Sequence, residues 1–263
     1  MNRSETAQLS SPGRASGLAD SYPRRMSRAR VIGLHLAPGA LATVVFLLIA
    51  PPLETAGYPP VLAFFIAVAV TILPWELGVI LYAGRRGGGR LAALEFREPL
   101  PRRTWWTLFP LVLVASLVPF ALLSLSEPFI IDAWFAWIPS WFVDLVPIDN
   151  VAAYSNGAWT ISLVVYGVMN IVVGPAVEEL YFRGYLLPRM TRFGRMAPLV
   201  NSALFSLYHF WSPWALVSRT VGVMPFVLAV WRKRNIYLGM AVHMTLNAIS
   251  TTATIAAVAS KLA

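Results

Sequence analysis

Three short patterns in the second half of the chain bring acids, bases and amides together at helical spacing. In the stretch VGPAVEELYFRGYLLPR (173–189), Glu179 and Arg183 stand four residues apart, on one helical face, where they can pair. That pairing lowers the cost of burying both charges. Glu178 is rotated by about 100° from Glu179, cannot share the same arginine equally, and is left to face something else. In FSLYHF (205–210), Phe205 and His209 are again four apart, as are His243 and Asn247 in HMTLN (243–247). A carboxylate with an imidazole can hold and deprotonate a water. A second imidazole and a side-chain amide can donate hydrogen bonds to an oxyanion. Brought to one cavity, Glu178, His209, His243 and Asn247 have the equipment to hydrolyse an amide with an activated water, with no serine or cysteine nucleophile. Each pattern alone has a plainer reading: a Glu–Arg clamp at a helix end, a packed histidine, a hydrogen-bonded pair joining two helices.

The elements that must position these groups are membrane helices. Of 263 residues, 57% are hydrophobic and only 13% charged, against about 25% charged in a typical soluble domain, and the mean hydropathy is +0.64. A soluble domain of this size would need more polar residues to cover its surface, so an ordinary globular enzyme is excluded. The absence of cysteine excludes a disulfide-built secreted domain and any thiolate nucleophile or ligand. A bilayer core needs about 20 apolar residues per helix. Seven spans are predicted, over 33–53, 60–83, 104–124, 157–180, 197–212, 214–231 and 236–260. The aromatic segment 128–147 reads as an interfacial helix or an eighth, imperfect span. The expected fold class is an all-α polytopic bundle of about seven or eight transmembrane helices.

The net charge of +9 would point to nucleic acid in a soluble protein, but here the arginines sit in short blocks between apolar stretches, so no nucleic-acid partner is expected. Loop 84–103 carries six arginines, loop 188–196 three, and Arg232, Lys233 and Arg234 form a third block, all on one side if the helices alternate. The opposite loops hold Glu54, Glu127, Asp132, Asp144 and Asp149, with no Lys or Arg in 125–156. This asymmetry predicts a cytoplasmic N-terminus. Residues 1–31, rich in Ser and Arg, read as a basic, mostly disordered cytoplasmic tail, and 32–263 as the membrane domain. Glu76 and Arg219 are ionisable groups within spans that belong to none of the three patterns. Glu76 could line the cavity, pair with Arg219, or snorkel from a membrane end.

EExxxR (Glu178, Glu179, Arg183), FxxxH (Phe205, His209) and HxxxN (His243, Asn247), in this order on separate spans, resemble the CPBP family of CAAX prenyl endoproteases and bacteriocin-processing or immunity proteins, also called Abi. The motif-bearing core is 157–250. The resemblance implies an integral membrane endopeptidase whose site opens toward the cytoplasmic side. It also implies that Glu178 activates water, His209 helps position it, and His243 and Asn247 stabilise the oxyanion, with Glu179, Arg183 and Phe205 in support. It implies a membrane-anchored protein or peptide substrate, and the simple topology suggests a prokaryotic cytoplasmic membrane. No cofactor is favoured. Zinc is the metal that Glu178, His209 and His243 could hold with water as a fourth ligand, but HExxH is absent and Asn247 is a poor zinc ligand. Two other readings stay open: a non-catalytic scaffold or immunity protein, and a transporter with a proton-coupled Glu–His site, against which stands the lack of two related halves.

Overall fold

The computed structural model describes residues 26–263. Most of the tail expected over 1–31 therefore lies outside the described residues. The first helix starts at Arg28, with the Ser27 hydroxyl accepting from the Arg30 N–H.

The regular structure of the described chain is helical, with a single isolated bridge between Arg97 and Asn235. Eight helical elements carry the architecture: α1 (Arg28–Thr55), α2 (Pro60–Val70), α3 (Ile72–Arg86), α4 (Arg102–Ser124), α5 (Asn156–Arg189), α6 (Ala197–Tyr208), α7 (Leu216–Lys233) and α8 (Ile236–Leu262). Elements α2 and α3 form one pass, interrupted at Thr71, whose φ of −122° and ψ of −67° are not helical. Among the described residues six helices are long and apolar enough to cross a membrane. The all-α polytopic bundle is as expected, with two differences in detail. Region 197–212 forms only the twelve residues of α6, a rise of about 18 Å against a hydrocarbon core of about 30 Å. Region 128–147 breaks into turns over Glu127–Ile130, Ile131–Phe135 and Ser140–Val143. Phe129, Trp134 and Trp137 there are exposed, as residues of an interfacial aromatic belt are.

The two ends of the bundle differ in charge. At one end Arg189 pairs with Glu95 and Arg234 with Glu98, the Glu95 N–H donates to the Gly184 carbonyl, and the Met26 N–H reaches the Arg189 carbonyl. All three basic blocks therefore gather there. At the other end the Val61 N–H donates to the Leu145 carbonyl, the Tyr154 hydroxyl to Glu54, and Lys261 pairs with the exposed Asp149, holding its carboxyl below the ordinary value. From the basic end α6 descends part of the way, the chain turns through 209–215, and α7 climbs back. Non-helical backbone at membrane depth survives only where protein buries it or a cavity adjoins it. Here Trp211, Trp214 and Ala215 are buried.

Close helix approaches are made by glycine. A Cβ on Gly39 of α1 would fall 1.9 Å from the Tyr208 carbonyl oxygen, and one on Gly239 of α8 2.9 Å from the Glu179 carboxylate. Outward-facing Leu48, Leu111, Val114, Leu122 and Val164 give the bundle a lipid-facing surface.

Candidate active site

Helix α5 is irregular where the chemistry sits. Pro175 has no N–H for the carbonyl four residues back, and π-helical turns occupy Met169–Val173 and Glu179–Leu186 on either side of Gly174–Glu178. Such turns are concentrated at functional sites. The two adjacent glutamates part ways as their spacing demands. Glu179 is fully buried and its Oε1 faces both Arg183 Nη1, at 2.9 Å, and His243 Nδ1, at 3.0 Å. Arg183, also fully buried, lies with its guanidinium carbon 4.1 Å from the ring centre of Phe205 and 5.1 Å from that of Phe226. Cation–π attraction of this kind offsets part of the desolvation of an interior arginine. Glu178 turns to a cavity instead. Its Oε1 accepts from the Tyr208 hydroxyl at 3.1 Å, and its Oε2 lies 3.9 Å from His243 Nε2.

His209 follows the last residue of α6 and has left helical geometry, at φ −81° and ψ 62°. Its Nδ1 donates to the Phe205 carbonyl at 2.7 Å, which leaves Nε2 without its proton in the neutral ring. The ring is enclosed by Phe205, Tyr208 and Trp211. On α8, His243 bridges the two glutamates and stacks on Phe226, with ring centres 5.6 Å apart. One turn further on, Asn247 Nδ2 donates to the Asn170 carbonyl at 2.8 Å, while the Asn170 amide donates to Thr251.

Glu178, His209, His243 and Asn247 all line one cavity of about 360 Å³, with Phe205 in its wall. The remaining lining is mostly apolar, including Val61, Phe64, Phe65, Leu117, Phe120 and Leu246, in keeping with a ligand pocket that uses a few placed polar groups. Glu179 and Arg183 are packed behind it. The lining runs from the level of the three motifs to Leu145 and Val146, toward the end opposite the basic loops, whereas the resemblance implies a site opening on the cytoplasmic side. Glu76 does not line the cavity. It is fully buried on α3, and among the described residues its oxygens make no hydrogen bond and no pair with Arg219. Its charged neighbours are Glu178, Arg183 and Glu179.

Among the described residues no three His, Asp or Glu side chains converge as ligands, and the Nδ1 atoms of both cavity histidines are committed to protein acceptors.

Sequence reasoning assigned no role to Tyr208, His35 or Asn201. Tyr208 is adjacent to a motif histidine, but nothing local couples it to a carboxylate thirty residues away. His35 on α1 is fully buried: Nδ1 donates to the Val31 carbonyl at 2.8 Å and Nε2 lies 3.0 Å from Asn201 Nδ2. Asn201 also donates to the Phe182 carbonyl at 3.2 Å, so the pair ties α1 and α6 to the π-helical turn beside the glutamates.

The fold and cavity define a membrane-embedded helical protein with a carboxylate–imidazole site. Residues 160–249 match the family model described as type II CAAX prenyl endopeptidase Rce1-like. That segment contains all three motifs, and the match bears out the recognition of the chain as CPBP family, CAAX-protease type. No curated protein and no solved structure matches the chain.

Proposed function

We propose that the protein is an intramembrane endopeptidase that hydrolyses a peptide bond of a membrane-anchored protein or peptide with water activated by Glu178. The observation that carries this reading is the convergence on one cavity of Glu178 from α5, His209 from the turn that follows α6, and His243 and Asn247 from α8. In the proposed reaction water adds to the scissile carbonyl carbon as Glu178 takes its proton. His209, with Nε2 free, holds the water in line. His243, as an imidazolium, donates Nδ1–H to Glu179 and Nε2–H to the developing oxyanion, which also accepts the second amide proton of Asn247. Glu178 then returns its proton to the leaving nitrogen as the C–N bond breaks. Glu179 and Arg183 act by holding His243. With the basic end cytoplasmic, the cavity extends toward the outer leaflet, which favours a substrate anchored on that side.

The test compares protein termini in membranes of cells carrying wild-type protein or Glu178→Gln at equal level. Gln is nearly isosteric and cannot act as a base. Specific C-termini present with wild type and lost in the variant are the expected result. Identical termini alongside a persisting deletion phenotype would move the scaffold or immunity reading to first place.

A further inference from the structure

The proposed reaction leaves one buried carboxyl without a task. Glu76 lies outside residues 160–249, the segment that matches the family model, yet α3 packs against Gly174–Glu178 and against the π-helical turn that follows. Glu76 therefore stands behind the cavity wall, and of its charged neighbours Glu178 acts on it most strongly, then Arg183 and Glu179. Tyr181 and Tyr208 are also near, but their hydroxyls donate to the Leu34 carbonyl and to Glu178. Helix α1, packed on α3, brings His35, whose ring nitrogens are both engaged. Glu178 is faced in turn by His243 and, across the cavity, by His209 and Arg219.

An ionised carboxylate in an apolar interior needs a cation or several donors. Both oxygens of Glu76 are buried without a hydrogen bond among the described residues. Arg183 is paired with Glu179, and with His243 as an imidazolium the two cations balance Glu178 and Glu179 charge for charge. Glu76 is the carboxyl left over. A neutral acid has an O–H to give. Glu178 has room for it: its Oε1 takes the Tyr208 hydroxyl, whereas Oε2 is 3.9 Å from His243 Nε2, beyond a hydrogen bond. A buried polar group without a partner lowers stability, and such exceptions collect at functional sites.

We propose that Glu76 is a positioning residue that acts through Glu178: held as the neutral acid, it presents its O–H to the Glu178 carboxylate through one bridging water and keeps the base ionised and aimed. This inference deepens the peptidase reading and rests on it, but the protonation it requires can be read without turnover.

The test uses the full chain in lipid nanodiscs as wild type, Glu76→Gln, Glu76→Leu and Glu178→Gln. Infrared difference spectra across a pH series read the carboxyl bands of Glu76 and Glu178, each assigned by its loss in the variant. At neutral pH wild type should show a protonated carboxyl that disappears in both Glu76 variants. The pH at which Glu178 ionises should rise by about one unit in Glu76→Leu, which has no donor, and should hold in Glu76→Gln, whose amide still donates. Cleavage of an internally quenched peptide of S-farnesyl cysteine followed by three apolar residues should follow. The acid-side fall of kcat/KM moves up by the same unit in Glu76→Leu, Glu76→Gln restores its position, and KM is unmoved, because Glu76 does not line the cavity. Glu76→Leu should unfold no earlier than wild type on heating, since an apolar side chain replaces an unmatched polar one. A Glu76 that is ionised at neutral pH, a Glu178 midpoint that is unmoved or falls in both variants, or loss of folding in Glu76→Gln overturns the proposal. The infrared midpoints decide it whether or not this peptide is a substrate. The peptidase reading fails separately, if Glu178→Gln still cleaves.

Discussion

The half of the bundle toward the basic loops and the half away from them are built differently. In the first, polar groups are mostly paired, Glu179 with Arg183 and His243, His35 with Asn201, Arg189 with Glu95, and Glu76 beside them is the exception, buried with no hydrogen bond among the described residues. In the second, the helices part around a cavity whose polar groups are few. The motifs lie on the boundary, and each contributes to both halves. Glu179, Arg183 and the Phe205 ring make the packed floor, while Glu178, His209 and Asn247 stand on it and face the space above. A bilayer supplies little hydrophobic drive between helices, so a matched polar floor is one way to fix the positions of reactive groups within an otherwise apolar bundle.

The sharpest way to break this comparison is to neutralise each glutamate in turn. Glu178→Gln should leave folding intact and lower kcat by about 10²- to 10⁴-fold, the range of general-base contributions. Glu179→Gln removes one partner of a fully buried ion pair and should cost about 3–5 kcal/mol of stability, with loss of folded protein from detergent extracts on heating. Unfolding curves and turnover on the same samples separate the two. Equal loss of stability in both variants would mean that Glu178 belongs to the floor.

The next effect concerns the seam that carries Tyr208. With its Cβ 1.9 Å from the Tyr208 carbonyl oxygen, Gly39→Ala forces α1 away from the end of α6. Overpacking of this kind costs about 1–3 kcal/mol. The displacement also moves His209, so turnover should fall together with stability. Gly33, which has open space around it, is the control position on the same helix: Gly33→Ala should leave both unchanged. A smaller effect is expected from Tyr208→Phe, which deletes only the hydroxyl donated to Glu178. The loss should be about 1 kcal/mol or less in stability and about tenfold in kcat.

Much of the floor and the cavity could be read in the chain because both follow helical periodicity. The i, i+4 spacing puts Glu179 with Arg183, and the rotation to the next residue sends Glu178 elsewhere, as the structure shows. Hydropathy reads the long helices for the same reason. It overstates 197–212, because an apolar run carries no mark of where the helix ends, and here α6 stops at Tyr208 as the chain turns inside the bundle. The Tyr208–Glu178, His35–Asn201 and Asn247–Asn170 contacts join residues 30, 166 and 77 positions apart. They depend on how helices cross, which no local spacing encodes. The lack of an ion-pair partner for Arg219 among the described residues is of the same kind: the sequence shows a charge in a span, and only the packing shows that its neighbour is the Ser212 hydroxyl.

Chelation is expected to have the smallest effect, and it bears on the boundary between the two halves. A metal would need Glu178, His209 and His243 to turn inward on one point. In the structure His243 Nδ1 is held by Glu179 and His209 Nδ1 by the Phe205 carbonyl, so each ring can offer only Nε2. Asn247, the remaining cavity residue of the motifs, has its amide on the Asn170 carbonyl. Chelator treatment of purified, active protein should therefore leave kcat/KM unchanged, and elemental analysis should find no stoichiometric metal. A stoichiometric zinc whose removal abolishes turnover, and whose return restores it, would show that the two histidines and Glu178 rearrange around a metal. Glu178 would then be a ligand, and the base that activates water would have to be sought elsewhere, with the buried, unpartnered Glu76 the first side chain to replace.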